Sequence, residues 1–371
     1  MSFGILEKLP GRFGEIMKIL ITGNMGYVGP AVVKTLRQSY PQATLIGLDA
    51  GFFGHCLVNP HFLPECYVDQ QIYGDVRLVS REFLQGIHAI VHLAAVSNDP
   101  MGKSFEEATF SINHKGTVHL AQKAKEAGVK SFVFASSCSV YGFAEEGART
   151  ETSELNPLTA YAKSKVLSEK DLAALGDRSF KVTCLRFATA CGMSVRLRLD
   201  LVVNDFVAGA VVQKKVVVLS DGSPWRPLIN TQDMARAIDW AIQRDPAEGG
   251  DYLVINVGSN EWNYQVRDLA EAVAKAVPNV EVSINKNAPP DKRSYRVSYD
   301  LFRKLAPNYQ PQISLPDTIL SLREGLEQAN FNIPNYRESP LIRLNVLMDL
   351  RKKGLLTSNL EWSFKNEKGV L

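Results

Sequence analysis

Tyr161 and Lys165 stand four residues apart in Tyr161-Ala162-Lys163-Ser164-Lys165. On a helix that spacing puts a phenol and an ammonium on one face, one turn apart. An ammonium near a phenol stabilises the phenolate and draws its pKa down from about 10 toward neutrality. A phenol so tuned can take the proton of a substrate hydroxyl as hydride leaves the same carbon. Tyrosine and lysine at this spacing are common on exposed helices, so the neighbouring residues decide. Asn156-Pro157-Leu158-Thr159 makes a turn ahead of the pair, and the upstream apolar run KSFVFA leads into Ser136-Ser137-Cys138-Ser139-Val140-Tyr141-Gly142. A serine hydroxyl at the carboxyl end of a strand can hydrogen-bond the reacting oxygen and stabilise its developing charge. The bland alternative for each serine is a helix cap or a solvated turn.

Hydride chemistry needs a carrier, and Met17 to Pro30, MKILITGNMGYVGP, is built to hold one. The apolar run Lys18 to Thr22 reads as a buried parallel strand. It opens into Gly23, Gly26 and Gly29, then into a helical segment, Ala31 to Ser39. A chain that leaves a strand, turns tightly and starts a helix points backbone N–H groups at the positive end of the helix dipole, a phosphate site. The glycines let a pyrophosphate and the next strand approach without a Cβ between them. Tyr27 and Val28, inside the turn, are further cofactor contacts. A second apolar run, Ala43 to Leu48, ends in Asp49, 20 residues after Gly29. A carboxylate there binds the ribose hydroxyls of an adenosine and repels a 2′-phosphate, which favours NAD over NADP.

With 371 residues, 45% hydrophobic and 22% charged, the chain has the composition of a soluble globular protein of one large or two packed domains. A formal charge of +3 and the lack of a dense Lys/Arg run give no reason to expect nucleic acid as a partner. No stretch approaches the roughly eighteen uninterrupted apolar residues of a membrane span. The first sixteen residues lack the basic start and apolar middle of a secretory signal and read as an extension. Five cysteines with no C-x-x-C pair argue against a disulfide framework or a zinc site, no histidine pair has metal-ligand spacing, and a reducing cytoplasm fits.

The segments that must position these groups alternate. Strands are expected near 71–73, 89–93, 131–135 and 181–185, and helices over 78–85, 105–127 and 160–175. Such alternation gives an α/β, doubly wound parallel sheet with helices on both faces and its ligands at the carboxyl ends of the strands. Beyond Arg186 the pattern loosens. Helices are expected over 199–213, 233–244 and 266–277, and strands over 216–219 and 253–257. This predicts a smaller, partly interleaved lobe and a charged helical tail from Leu341. The expected division is an N-terminal extension (1–16), a cofactor domain (17–190), a substrate lobe (191–330) and a C-terminal helical extension (331–371).

Over about three hundred residues the chain resembles the extended short-chain dehydrogenase/reductases, specifically the NAD-dependent nucleotide-sugar epimerase/dehydratase group. The matching pieces are the Gly23, Gly26, Gly29 turn, Asp49, Gly74-Asp75-Val76, His92-Leu93-Ala94-Ala95, and Asn113 in INHKGT. Ser137 to Gly142, Tyr161 to Lys165, Arg186, and Asp221-Gly222-Ser223 leading to Trp225-Arg226 complete the set. The resemblance implies a Rossmann-type domain with NAD as cofactor. Tyr161 would be the base, Lys165 its partner on the nicotinamide ribose, and Ser137 the hydroxyl that contacts the sugar. Asp75 and Val76 would meet the adenine, Leu93, Ala94 and Ala95 would line the cofactor, and Asn113 would belong to the same site. Arg226 occupies the position of the diphosphate-binding arginine, a group suited to two phosphate oxygens at once. Arg196, Arg198 and Asn204 are further substrate candidates, and the alternative for the two arginines is a solvated basic edge. Thr189 stands where many members carry asparagine, and Arg293 or Arg296 would substitute for a missing late arginine. The family also implies a homodimer built on the helix 105–127 and the helix carrying Tyr161.

The 4,6-dehydratases of the group carry Asp-Glu directly after the catalytic Ser/Thr, where this chain has Cys138 and Ser139. Neither replaces a carboxylate, so both count here as substrate contacts and dehydration is disfavoured. Cys138 reads as a small packing residue rather than an acid or base. The simplest remaining chemistry is hydride removal at C4 of a nucleotide-diphosphate sugar. Return of hydride to the other face makes a 4-epimerase; otherwise the enzyme is a 4-dehydrogenase or 4-ketoreductase. A non-catalytic NAD-sensing scaffold and a reductase of steroid-like substrates are the competing classes. The first typically loses the tyrosine or lysine, and the second has no need of Arg226.

Overall fold

The computed structural model describes residues 16–288 and 294–363. Seven short runs of Ile, Leu, Val and Phe form the central sheet: β1 (Lys18–Thr22), β2 (Thr44–Asp49), β3 (Gln70–Tyr73), β4 (Ala89–His92), β5 (Ser131–Ser137), β6 (Lys181–Phe187) and β7 (Tyr252–Val257). Every neighbouring pair is parallel, in the order β7-β6-β5-β4-β1-β2-β3. Parallel neighbours need crossovers, and the helical segments between strands supply them on both faces. Alternation along β1 sorts the two cores: Ile19 and Ile21 pack with the helices Gly29–Ser39 and Thr231–Gln243, and Leu20 packs on the opposite face with Leu120 and Leu172. The strand order reverses between β1 and β4, so the loops after them diverge and open a crevice at the carboxyl ends of the strands.

The second lobe has its own core. Helices Val202–Gln213, Val266–Ala276 and Leu315–Gln328 pack around the parallel pair Lys215–Val218 and Glu281–Ile284. Between the two, the chain returns helix 231–243 and β7 to the central sheet. Strand Trp225–Asn230 pairs with Thr189–Cys191 on one side and Asn263–Gln265 on the other, leaving Arg226 at the junction.

Three differences from expectation have local causes. The helix expected over 78–85 is two 3₁₀ turns, Val76–Leu78 and Glu82–Leu84, because Asp75 and Ser80 bond backbone N–H groups just ahead and compete with helix propagation. The helix expected over 105–127 has a π-helical stretch, Phe110–Gly116, between two α-helical pieces. Strand Phe143–Arg149 pairs in parallel with Ser294–Val297, a contact across some 150 residues that local patterning does not report. Arg293 and nearly all of the N-terminal extension lie outside the described residues.

Candidate active site

The glycine turn is shaped by close approach. Gly23 has φ +75°, and a Cβ there would lie 2.5 Å from the backbone nitrogen of Ala94. A Cβ on Gly29 would collide with the Asn24 carbonyl oxygen at 1.8 Å. The loops after β1 and β4 therefore touch, which only glycine permits. Pro30 sits in the first turn of the following helix, where its missing N–H costs nothing. The free N–H groups of that first turn face a cavity of about 760 Å³, lined by Gly23, Gly26, Tyr27, Val28 and Gly29. The Tyr27 side chain serves as a tie, its hydroxyl donating to the Gly192 carbonyl at 2.6 Å.

Asp49 and Asp75, at the ends of β2 and β3, and Val76 line the same cavity. Asp49 accepts from the N–H of Met25 at 3.0 Å and of Gly51 at 2.7 Å. Burial pushes its pKa up, and the two backbone donors partly offset this. Each oxygen keeps a second lone pair for a ribose hydroxyl. Asp75 is gripped by Arg77, whose Nε and Nη2 donate to its carboxylate. Leu93, Ala94 and Ala95 form the floor. Asn113 does not face the cavity. It is fully buried behind this loop, accepting from Val96 N at 2.8 Å and donating to Val96 O at 2.9 Å, so it positions the floor rather than contacting a cofactor.

Helix Ala160–Ala173 starts at Thr159, whose hydroxyl caps Ala162 N and donates to Asp99 Oδ1 at 2.7 Å. This fixes Tyr161 and Lys165 above the end of β5. Ser137 also lines the cavity, accepts from Ser139 N at 3.1 Å, and is hydrogen-bonded to the Tyr161 phenol. The phenol is not drawn toward neutrality by the protein's own groups. Burial holds it up at about 12, with the Ser137 bond as the main offset. Lys165 Nζ lies 5.6 Å from the Tyr161 ring centroid and donates instead to Ala135 O at 2.7 Å. Burial pushes the lysine itself down to about 8. Behind it, Glu169 is committed to Arg186 and to Ser136 Oγ.

The substrate candidates divide. Arg226 and Ser139 line the cavity; the Ser139 hydroxyl is buried and unpartnered, and Arg226 Nη1 donates to Trp225 O at 2.9 Å. Arg198 also lines it, bound to both oxygens of Asp200 and to Ser97 Oγ. Arg196 is buried elsewhere, on Glu65 and the carbonyls of Phe53 and Gly54. Neither arginine is a solvated edge. Asn204 is buried and ties Gly192 N, Tyr27 Oη and Arg198 O together without reaching the cavity. Cys138 points away, donating to Arg186 O at 3.1 Å, so it is not placed at the cavity to contact substrate, and burial pushes its thiol well up. Arg296 stacks on Trp225. Among the described residues there is no cluster able to hold a metal.

Sequence reasoning missed Asp99, Tyr295 and the Arg198–Asp200–Asn98 chain, all at the cavity wall. Asn98-Asp99-Pro100 carries a readable signal, since Asn98 caps Met101 N and Pro follows as at a helix start. Tyr295 has none, because its strand is defined by a distant partner.

The family model for the NAD dependent epimerase/dehydratase family matches residues 19–258. A UDP-glucose 4-epimerase of Lactobacillus helveticus is 32% identical over 48% of this chain and 53% of its own length, so that match spans about half of the relative. A probable UDP-arabinose 4-epimerase of Oryza sativa is 25% identical over 77% of this chain and 79% of its own. A dTDP-D-glucose 4,6-dehydratase of Mus musculus is 26% identical over 72% and 74%. Among solved structures, UDP-glucose 4-epimerase from Bifidobacterium longum in complex with NAD+ and UDP superposes with a TM-score of 0.70 at 20% identity, covering 85% of this chain and 100% of that one. No helix among the described residues is long and apolar enough to cross a membrane. With the glycine cradle, Asp49 and the Ser137–Tyr161–Lys165 group converging on one crevice, the chain belongs to the NAD dependent epimerase/dehydratase family, enzymes whose cofactor is NAD.

Proposed function

We propose that the protein oxidises and reduces C4 of a nucleotide-diphosphate hexose and works as a 4-epimerase. The reading rests on the pairing of Ser137 and Tyr161 in a cavity that also holds the glycine turn and Arg226, with no carboxylate at positions 138 and 139. The cradle fits the cofactor: the helix N-terminus takes the pyrophosphate, Asp49 the ribose hydroxyls, and Lys165 the second ribose. Bound NAD supplies a hydride acceptor that carries positive charge when oxidised. With the phenol ionised beside that positive charge and Lys165, the Tyr161 phenolate would accept the C4 hydroxyl proton, Ser137 would donate to the same oxygen, and the phenol would give the proton back as the sugar is reduced on its other face. Arg226 takes the diphosphate. Ser139 offers its unpartnered hydroxyl to the sugar, and the Cys138 thiol, turned onto Arg186 O and away from the cavity, supplies no group there for elimination of water. We also infer a homodimer through the helices 106–126 and 160–173, where Leu167 is exposed.

Proton NMR with UDP-, GDP-, dTDP- and CDP-sugars in D₂O tests this. A C4 epimer free of deuterium is the expected product. An accumulating keto sugar would point to a dehydrogenase, and deuterium at C5 with loss of water to a dehydratase.

A further inference from the structure

We propose that residues 343–362 are a built part of the cofactor site, a strap that walls its adenosine end and keeps NAD from leaving between turnovers. The proposal rests on the reading of the crevice as the NAD site. These residues lie beyond the stretch matched by the family model, which ends at 258, so membership alone assigns them nothing.

The strap is fixed beside the two carboxylates of the adenosine end, through Arg77 and the Ala50 carbonyl. Arg77, which grips Asp75, uses Nη1 to donate to Asn359 O at 3.0 Å. The Trp362 indole donates to Ala50 O, next to Asp49, at 2.7 Å and packs on Phe52 with ring centroids 5.5 Å apart. At the other end Arg343 is buried, donates to Arg196 O at 2.7 Å and Leu197 O at 3.1 Å, and lies over the Phe53 ring. Leu347 and Leu360, both about fully buried, line the cavity and share an apolar cluster with Leu48 and Val76. A tail docked only for stability would cover the outside of the protein; these two side chains form wall.

Leu360 has φ +54°, a conformation leucine disfavours. It is held there by a closed loop: Leu360 N donates to Thr357 O at 3.1 Å, and Thr357 N to Glu361 O at 2.9 Å. The strained residue is the one aimed at the adenosine end, where an aliphatic side chain offers a flat apolar surface to a purine. Release of the cofactor then requires Arg77, Ala50 and Phe52 to give up the strap. An enzyme that returns hydride to the sugar it came from needs a cofactor that stays.

The test is the exchange rate of bound NAD against labelled NAD, with the nucleotide content per chain after gel filtration, for the full chain, Leu360→Gly, Trp362→Ala and a chain ending at Lys353. Glycine accepts the positive φ, so Leu360→Gly keeps the backbone of the loop while removing the side chain from the wall and from its apolar cluster. It should exchange NAD at least about tenfold faster, the scale of one lost aliphatic contact, and Trp362→Ala likewise. Should the shortened chain fail to fold, the point variants decide. Exchange within about twofold of wild type in a folded Leu360→Gly, or a wild-type protein that releases NAD during gel filtration, overturns the strap. Epimerisation is scored separately: retained NAD without a C4 epimer sinks the functional reading and leaves the strap, and an epimer with unchanged exchange does the reverse.

Discussion

Replacing Lys165 by methionine should stabilise the fold while abolishing turnover, and the stabilisation should depend on pH in a stated direction. Lys165 is 3% exposed, and burial lowers its pKa from 10.5 to about 8. Below pH 8 the folded chain carries a charge it holds poorly, at a cost of about 3 kcal/mol relative to the unfolded chain. Methionine removes that cost and keeps the contact with Phe134, over which Nζ lies at 4.6 Å. It also strips the Ala135 carbonyl of a donor, which returns about 1 kcal/mol. The net expectation at pH 7, for protein freed of nucleotide by charcoal, is a gain of about 2 kcal/mol. Between pH 8 and 10.5 the unfolded lysine holds a proton that the folded one has released. Wild-type stability therefore rises with pH through this window, and the gap to the variant closes. Lys181, also pushed to about 8 by burial, contributes equally to both proteins and cancels. Urea unfolding at pH 7 and pH 10 reads the effect. A variant less stable than wild type at pH 7, or a gap of the same size at both pH values, would refute the argument.

The remaining predictions are narrower. Tyr161→Phe keeps the ring and loses the proton acceptor, so kcat should fall by about 10²–10⁴-fold while NAD binding, followed by fluorescence, survives; a tenth of wild-type turnover would remove Tyr161 from the chemistry. Gly23→Ala places a methyl 2.5 Å from Ala94 N at φ +75°, and should cost more than about 2 kcal/mol in a thermal melt and abolish NAD binding; wild-type affinity would contradict the cradle. Cys138→Ala should leave turnover within about twofold and the pH profile unmoved, whereas a hundredfold loss would return the thiol to the reaction.

Much of the site was legible because its signals are local. A strand, three glycines and a helix start describe one tight turn, and Tyr161 with Lys165 describe one helical face; both hold in three dimensions. The partners of the buried charges were not legible. Arg196 and Arg198 are two residues apart in sequence and read alike, yet one is neutralised by Glu65, 131 residues away, and the other by Asp200. Helix periodicity could not foresee that Asn113 would turn inward at a π-helical stretch. The parallel pairing of 143–149 with 294–297 that carries Tyr295 to the cavity leaves no trace in either segment alone.

The distribution of arginines argues for how the crevice tells its two ends apart. A diphosphate needs positive potential in a place of low dielectric, but an unpaired guanidinium buried there would be costly. Arg77, Arg196 and Arg198 each have a carboxylate within 3 Å. They brace the walls and contribute little net field. Lys165 and Arg343, also at the cavity, donate to backbone carbonyls, and at the cofactor end the helix N-terminus behind Gly26 adds a field that is fixed by backbone and needs no counter-charge. At the sugar end Arg226 is carried on a strand edge at the junction of the two lobes, where its guanidinium can meet two phosphate oxygens at once. On that division, Arg226→Ala should weaken the nucleotide sugar and leave NAD affinity within about twofold, since loss of a charge-assisted pair costs about 1.5–3 kcal/mol at one end only. Calorimetric titration with each ligand separates the two, and an equal loss at both ends would show that the crevice is electrostatically one site.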